Sequence, residues 1–295
     1  MVVQRLTLDT VNRTATVLET AAGKAVNVAK VLKTLGQQPV ALGFVGGARG
    51  DWLAAELARL GVEHDFVAVA AETRQCLTVI DEAQATHTEL VEESRPVQSG
   101  DYEQLSQRLG RRLDRARAVV MSGSLTPGGP VDFYARCVQQ ARAAGVLAVL
   151  DAHGPPLLQA LSAGPDVVKP NWSELAVTLG RVLPDQAALM AAMRQLHQRG
   201  ARRVVVTAGR HPTLAYDGDT FWRIRPPQVT VRNPIGAGDA FTAGLVWRLG
   251  RGEALGQACV WASAVATADA LTLLPGQVDP AQLEALVART DLDRL

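Results

Sequence analysis

From about residue 36 onward, short apolar runs alternate with stretches that place apolar residues at helical spacing. PVALGFVG (39–46) reads as a strand, and DWLAAELARLG (51–61) as a helix closed by Gly61. RAVVMSGS (117–124) predicts a buried strand that runs into a Gly/Ser turn. VDFYARCVQQARAAG (131–145) predicts a helix ended by Gly145. VLAVLDA (146–152), PDVVKPN (165–171, stopped by Pro170) and RRVVVTAG (202–209) read as three further strands. Such alternation predicts an α/β fold in three layers, with a mostly parallel sheet covered by helices on both faces. Sheets of this kind bind ligands beyond the carboxyl ends of their strands. Ser124, Asp151, Lys169, Asn171, Thr207 and Gly209 all fall at those ends.

Two segments break the pattern. VQRLTLDTVNRTATVLE (3–19) and TRQCLTVIDEAQATHTELVEE (73–93) alternate polar and apolar residues with no helix between them. They predict antiparallel strands with one wet face, a small β sheet projecting as a lid or a dimer contact. The expected organisation is therefore a kinked division: a core from 20–72 and 94–295, and a lid from 1–19 and 73–93.

Composition narrows the class. The chain has 295 residues, 47% of them hydrophobic, with a formal net charge of +1. That describes a globular protein with a large core and gives no basic surface to suggest nucleic acid. No apolar run approaches a membrane span and residues 1–20 lack the apolar centre of a signal peptide. Cys76, Cys137 and Cys259 are scattered, with no metal spacing and no disulfide framework, so a reducing cytoplasm is expected. Lysine is scarce: Lys24, Lys30, Lys33 and Lys169 are the only ones among 30 basic residues. Two of them lie in candidate site segments, AGKAVN and KPNWSE, where a compact ammonium differs from a guanidinium.

The densest candidate is NPIGAGDAF (233–241). It joins a proline-stopped extended segment to a helical pattern. Gly236 and Gly238 permit backbone conformations that other residues resist and leave the helix's first N–H groups uncovered. Uncovered N–H groups at a helix N-terminus bind anions. Asp239 in that turn is either an ordinary first-turn charge or a base beside an anion site.

With these segments assembled, the chain resembles the PfkB family of carbohydrate kinases within the ribokinase-like superfamily. The resemblance covers almost the whole chain and rests on AAGKAVNVAKVLKTLG, SGSLTPGGPVDFYA, DVVKPNWSEL, VVVTAG and NPIGAGDAF, in the family's order. TRQCLTV, SGSLTPG and NPIGAGD are similar to the hexose-phosphate branch: 1-phosphofructokinase, tagatose-6-phosphate kinase and the minor 6-phosphofructokinase. The resemblance implies ATP and Mg²⁺ as cofactors. It implies Asp239 as the base that takes the proton of the acceptor hydroxyl, with the N–H groups of Ala237, Gly238 and Asp239 holding the transferring phosphoryl charge after the Gly236 turn. Gly23, Lys24 and Asn27 would grip the sugar, with Arg74 and Ser124 at its phosphate. Arg13 would either reach a phosphate across a homodimer formed through the lid or remain a solvated lid residue. Lys169, Asn171, Thr207 and Gly209 would line the nucleotide, with Asn171, Glu174 and Asp151 near the metal. Asn171 and Glu174 also read as a plain capping pair, Lys169 as a strand-end lysine and Asp151 as a strand-end aspartate.

The sequence departs from the family in three places. Ala22 and Ala25 stand where the sugar motif usually has glycine, and TAGRHPT lacks the usual glycine-rich run. The family's opening strand, with an N-P-x-x-D-like end, has no counterpart, a gap of roughly fifteen residues or one strand and a turn. A start codon placed too late is the expectation. The implied function is ATP-dependent phosphorylation of a ketohexose phosphate, fructose 1-phosphate first, with tagatose 6-phosphate and fructose 6-phosphate behind. The alternative of another class is a sugar-phosphate or nucleotide-binding protein that has lost catalysis.

Overall fold

The computed structural model describes all 295 residues. A seven-stranded sheet forms its centre. In chain order its strands are β8 (Ala118–Ser122), β9 (Leu147–Asp151), β10 (Val167–Val168), β11 (Val204–Ala208), β12 (His211–Tyr216), β13 (Phe221–Arg225) and β14 (Asp291–Arg294). They lie side by side in that same order, with β8 and β14 at the edges. Pairing is parallel from β8 through β11 and antiparallel from β11 through β14. The parallel half carries the strand ends of interest.

Helices cover both faces. One face receives α3 (Ser99–Gly110), α4 (Phe133–Ala143), α5 (Gly154–Leu161), α6 (Trp172–Leu179) and α7 (Gln186–Gln198). The other receives α8 (Ala237–Leu249) and α9 (Leu255–Ala270), with α1 (Lys24–Thr34) beside α8 and against β8, and α10 (Leu283–Val287) against α9. The sheet's period of two sorts its side chains. Ala148, Leu150, Val204 and Val206 join Leu157, Leu189 and Leu196 on the first face. Val149, Val205 and Ile224 join Phe241, Leu245 and Cys259 on the second. Each fully buried leucine contributes about 1.5–3 kcal/mol of transfer free energy, so the sheet is the rigid floor on which the site is built.

Helix α8 is buried along most of its length because its neighbours are small. A Cβ on Gly244 would meet the Cα of Ala262 at 2.8 Å, so only glycine allows α8 and α9 this approach. Four short strands, β2 (Val40–Ala41), β3 (Phe44–Val45), β4 (Glu63–His64) and β5 (Val67–Ala68), flank α2 (Gly47–Arg59). They form two two-stranded parallel pairs, β2 with β4 and β3 with β5. The single strand expected over 39–46 is thus two, broken at Leu42–Gly43, and neither joins the central sheet. The helix expected from 51 starts at Gly47, and the strand expected over 165–171 is two residues long because Pro170 removes a ladder donor.

Strands β6 (Cys76–Asp81) and β7 (Thr86–Val91) form an antiparallel hairpin with an exposed face, as their alternation predicts. Residues 3–19 do not follow their alternation. Only β1 (Val2–Val3) is a strand, and it runs parallel to β6. The rest is held by an isolated antiparallel bridge of Thr16 to Val2 and by side chains: Thr7 N–H donates to Asn12 Oδ1 and Asn12 Nδ2 donates back to Thr7 O. Asp9 sits at φ 59, which ends any extended run there. Leu8 and Val11 are 85% and 83% exposed, and Leu90 is 60% exposed, so this region keeps apolar surface in solvent. No helix is long and apolar enough to cross a membrane.

Candidate active site

Asp239 opens the first turn of α8. The turn forms because Gly236 adopts φ 96, left-handed backbone that a side chain resists, after Pro234 has stopped the preceding segment. Ala237 N–H donates to Pro234 O at 3.3 Å and Asp239 N–H to Gly236 O at 2.9 Å, so both are engaged in the turn. Gly238 N–H has no partner. Of the three N–H groups expected to meet an anion, Gly238 is the one left free, backed by the positive end of α8.

The Asp239 carboxyl is 7% exposed. Its Oδ2 accepts from Asn27 Nδ2 at 2.8 Å, a bond across 212 residues. Burial pushes its pKa up to about 7, against the Asn27 hydrogen bond, with Asp151 adding to the rise and Lys169 and Lys24 opposing it. A carboxylate so placed can take a proton near neutral pH. Asn27 lies on α1, whose N-cap Gly23 has φ 125 and no capping side chain, so a second uncovered helix N-terminus stands beside the first.

Around Asp239 the strand ends bring together a chain of alternating charge. Asp151, at the end of β9, is 2% exposed. Its Oδ2 accepts from Thr242 Oγ1 at 2.9 Å and from Ser122 Oγ at 3.4 Å, and lies 3.2 Å from Lys169 Nζ. Its Oδ1 is buried with no partner. Lys169 is buried at 3% exposure. Lys24 Nζ donates to Glu174 Oε1 at 3.0 Å and lies 4.0 Å from Asp151 Oδ1. Burial works to lower the Lys24 pKa, but Asp151 and Glu174 raise it above the usual lysine value. Burial likewise works to raise Glu174, but the Asn171 N–H and Lys24 hold it below the usual carboxylate range.

Asn171 and Glu174 form a capping box on α6: Glu174 N–H donates to Asn171 Oδ1 at 2.8 Å and Asn171 N–H to Glu174 Oε2 at 2.9 Å. The pair therefore serves the helix, and Glu174 Oε1 points to Lys24. No group of three or more acidic, histidine or cysteine side chains is placed to cage a metal. The donors that remain are the unpartnered Asp151 Oδ1 and the Glu174 carboxylate. That set suits Mg²⁺, which is commonly held by one or two carboxylates together with waters and substrate phosphates.

Two cavities border this cluster. Thr207, Gly209, Asn171, Trp172 and His211 line one of about 410 Å³. Ser124, Gly123, Thr126, His153 and Gly154 line the other, of about 270 Å³. Gly23, Lys24, Asn27, Asp151, Lys169, Asn171, Glu174 and Asp239 are thus brought together through direct contacts, with Ser124, Thr207 and Gly209 on the neighbouring cavities. Arg13 and Arg74 are not: both are exposed on the lid segments and make no hydrogen bond or ion pair. The sequence reading missed Thr242 and Ser122. Thr242 lies three residues after Asp239 on the same helix face, a spacing that could have shown it.

The pfkB family carbohydrate kinase profile matches residues 1–274. Phosphofructokinase-2 from Escherichia coli in complex with fructose-6-phosphate is 26% identical, at a TM-score of 0.86 over 97% of this chain and 93% of that one. The tetrameric inhibited form of the same enzyme gives the same identity, coverage and score. A "possible 1-phosphofructokinase" from Thermotoga maritima, 24% identical, shares the fold at a TM-score of 0.92 over 100% of this chain and 95% of that one. A buried carboxyl at an uncovered helix N-terminus, on this ribokinase-like α/β frame and under that match, leaves one assignment: the chain belongs to the pfkB family of carbohydrate kinases and is a phosphotransferase with an alcohol acceptor.

Proposed function

We propose that this protein transfers the γ-phosphoryl group of ATP to a ketohexose phosphate, with fructose 1-phosphate as acceptor and fructose 1,6-bisphosphate as product. The observation that carries the reading is the meeting of Asp239, Asn27 and Lys24 between two uncovered helix N-termini. Asp239 receives the proton of the attacking hydroxyl while Asn27 holds its carboxylate in place. Gly238 N–H and the α8 dipole meet the charge of the transferring group. Lys24, Ser124 and the first turn of α1 receive the acceptor, and Arg74 supplies a guanidinium for its phosphate. Lys169, Asn171, Thr207 and Gly209 receive the nucleotide. Asp151 and Glu174 would hold Mg²⁺, which when bound would neutralise charge on the nucleotide phosphates.

The exposed apolar residues Leu8, Val11 and Leu90 support a homodimer closed through the lid, with Arg13 and Arg74 on the same segments and free of other partners. The free thiols fit a reducing cytoplasm. The test of the reaction is ³¹P NMR of the product formed from MgATP and fructose 1-phosphate. A new phosphomonoester on carbon 6, with ADP in equal amount, supports the reading. ATP hydrolysis without a new sugar phosphomonoester contradicts it.

A further inference from the structure

A second buried carboxylate stands behind the α8 turn. Asp269, in the last turn of α9, is 1% exposed. Its Oδ1 accepts from Gly276 N–H at 2.7 Å and Gln277 N–H at 3.1 Å, which ties down the loop that follows α9. Its Oδ2 is buried without a partner and points at the turn: a Cβ on Gly236 would lie 3.0 Å from it and 2.6 Å from Pro275 Cβ. The same loop is tied from its other side by Lys30 of α1, 6% exposed. Lys30 Nζ donates to Pro275 O at 2.8 Å, Ala21 O at 2.9 Å and Thr20 Oγ1 at 2.9 Å. Gly276, at φ 72, leaves room for both: a Cβ there would meet Asn27 Cα and Lys30 Cε at 3.2 Å each. Asn233 Nδ2, three residues before Gly236, donates to Leu273 O at 2.9 Å.

Residues 271–277 are thus wedged between α1, which carries Lys24 and Asn27, and the turn that carries Gly238 and Asp239. We infer that Asp269, together with Lys30, is a positioning pair for phosphoryl transfer: it fixes this wedge so that the acceptor-binding start of α1 and the base-bearing start of α8 keep one geometry. The inference rests on the kinase reaction and is indifferent to which sugar is the acceptor. Three observations argue for it over simple core filling. A buried lysine and a buried aspartate are costly in apolar helices, and both bond this one loop, Lys30 holding the Thr20–Ala21 segment as well. Lys30 sits on the helix that carries Lys24 and Asn27, and Asp269 Oδ2 faces the Gly236 turn that leads into Gly238 and Asp239. Asp269 leaves one oxygen unpaired beside Gly236, and its charge couples to that of Asp239. The charged groups bearing on Asp269 are Asp239 from α8 and Lys30 from α1. Burial pushes its pKa up to about 7, the Gly276 and Gln277 N–H groups pull it down, Asp239 raises it and Lys30 lowers it.

The experiment compares Asp269→Ala, Asp269→Asn and wild type by kcat, KM and the pH profile of kcat/KM. Asp269→Ala releases the loop, and kcat is expected to fall between about tenfold and a hundredfold through misplacement alone, measured well below its melting temperature. Asp269→Asn keeps an acceptor oxygen for Gly276 and Gln277 and is expected to restore kcat to within about threefold of wild type. Because it also removes a charge that holds the Asp239 proton, its acid limb is expected to move to lower pH. An Asp269→Ala kcat within about twofold of wild type, or an Asp269→Asn profile that does not move, overturns the inference. If Asp269→Ala does not fold, the Asp269→Asn profile decides alone. If wild type turns over no sugar at all, the fault lies with the proposed function, and melting temperature against pH decides instead. A folded pKa above the unfolded one means stability is lost as pH rises from about 4 through 7, so wild type should lose more melting temperature over that range than Asp269→Asn. Parallel curves would overturn the inference.

Discussion

Replacing Asp239 by asparagine should destroy activity and stabilise the fold in the same molecule. The side chain keeps its shape, and the Asn27 amide can turn its Oδ1, now buried without a partner, toward the new Nδ2 donor. What is lost is the base, and a positioned base contributes about 10²–10⁴-fold in rate. What is gained follows from burial. The carboxyl pKa rises from 3.8 to about 7 in the folded protein. At about 1.4 kcal/mol per unit, the ionised group costs the folded state on the order of 4 kcal/mol at pH 8. The sign is that of a raised acid: the cost is absent below about pH 4, grows as pH rises and is complete above the folded pKa. Asp239→Asn should therefore melt about 5–10 °C above wild type at pH 8, with most of the difference gone by about pH 4.5. Coupled ADP release and scanning calorimetry on both proteins over that pH range measure the two effects. Turnover within about tenfold of wild type, or a melting difference that does not grow with pH, would refute the placement of an ionisable base in this site.

Other consequences follow from the same geometry. Gly236→Ala must hold alanine at φ 96 with its methyl 2.6 Å from Pro275 Cβ; it should cost about 1–3 kcal/mol in stability by calorimetry and abolish turnover. Lys24→Met removes a charge-assisted contact worth about 1.5–3 kcal/mol; the acceptor KM should rise roughly tenfold to a hundredfold, with the far-ultraviolet circular dichroism unchanged. Because Asp151 and Glu174 supply too few donors to keep a metal unaided, chelation by EDTA should stop turnover at once and excess Mg²⁺ should restore it, followed in the same ADP-release assay.

The sequence disclosed those parts of the site that are local. Short apolar runs disclosed β8, β9 and β11, and the residues at their ends, Asp151 and Thr207 among them, lie at the candidate site for that reason. GAGD disclosed its turn because glycine and proline dictate the backbone there whatever the surroundings. Features decided by distant contacts stayed hidden. Residues 3–19 alternate as a strand would, yet the Thr7–Asn12 side-chain bonds and the turn at Asp9 hold most of them off the sheet. The 39–46 run has a strand's composition, but it breaks into two pieces that each pair locally. No spacing rule links Asn27 to Asp239 across 212 residues. Asp269 left a faint trace: it is the one charged residue of α9, otherwise rich in alanine and valine, and such a charge must be answered by something nearby.

The central claim is that the acceptor already carries a phosphate. The most direct measurement is kcat/KM with MgATP for fructose 1-phosphate, tagatose 6-phosphate, fructose 6-phosphate, fructose and ribose, by coupled ADP release. A phosphorylated ketose, fructose 1-phosphate foremost, should exceed both free sugars by at least about a hundredfold, as a charge-assisted contact to a phosphate requires. Equal or greater efficiency with fructose or ribose would contradict the account, because Lys24, Arg74 and Ser124 would then have no anion to meet.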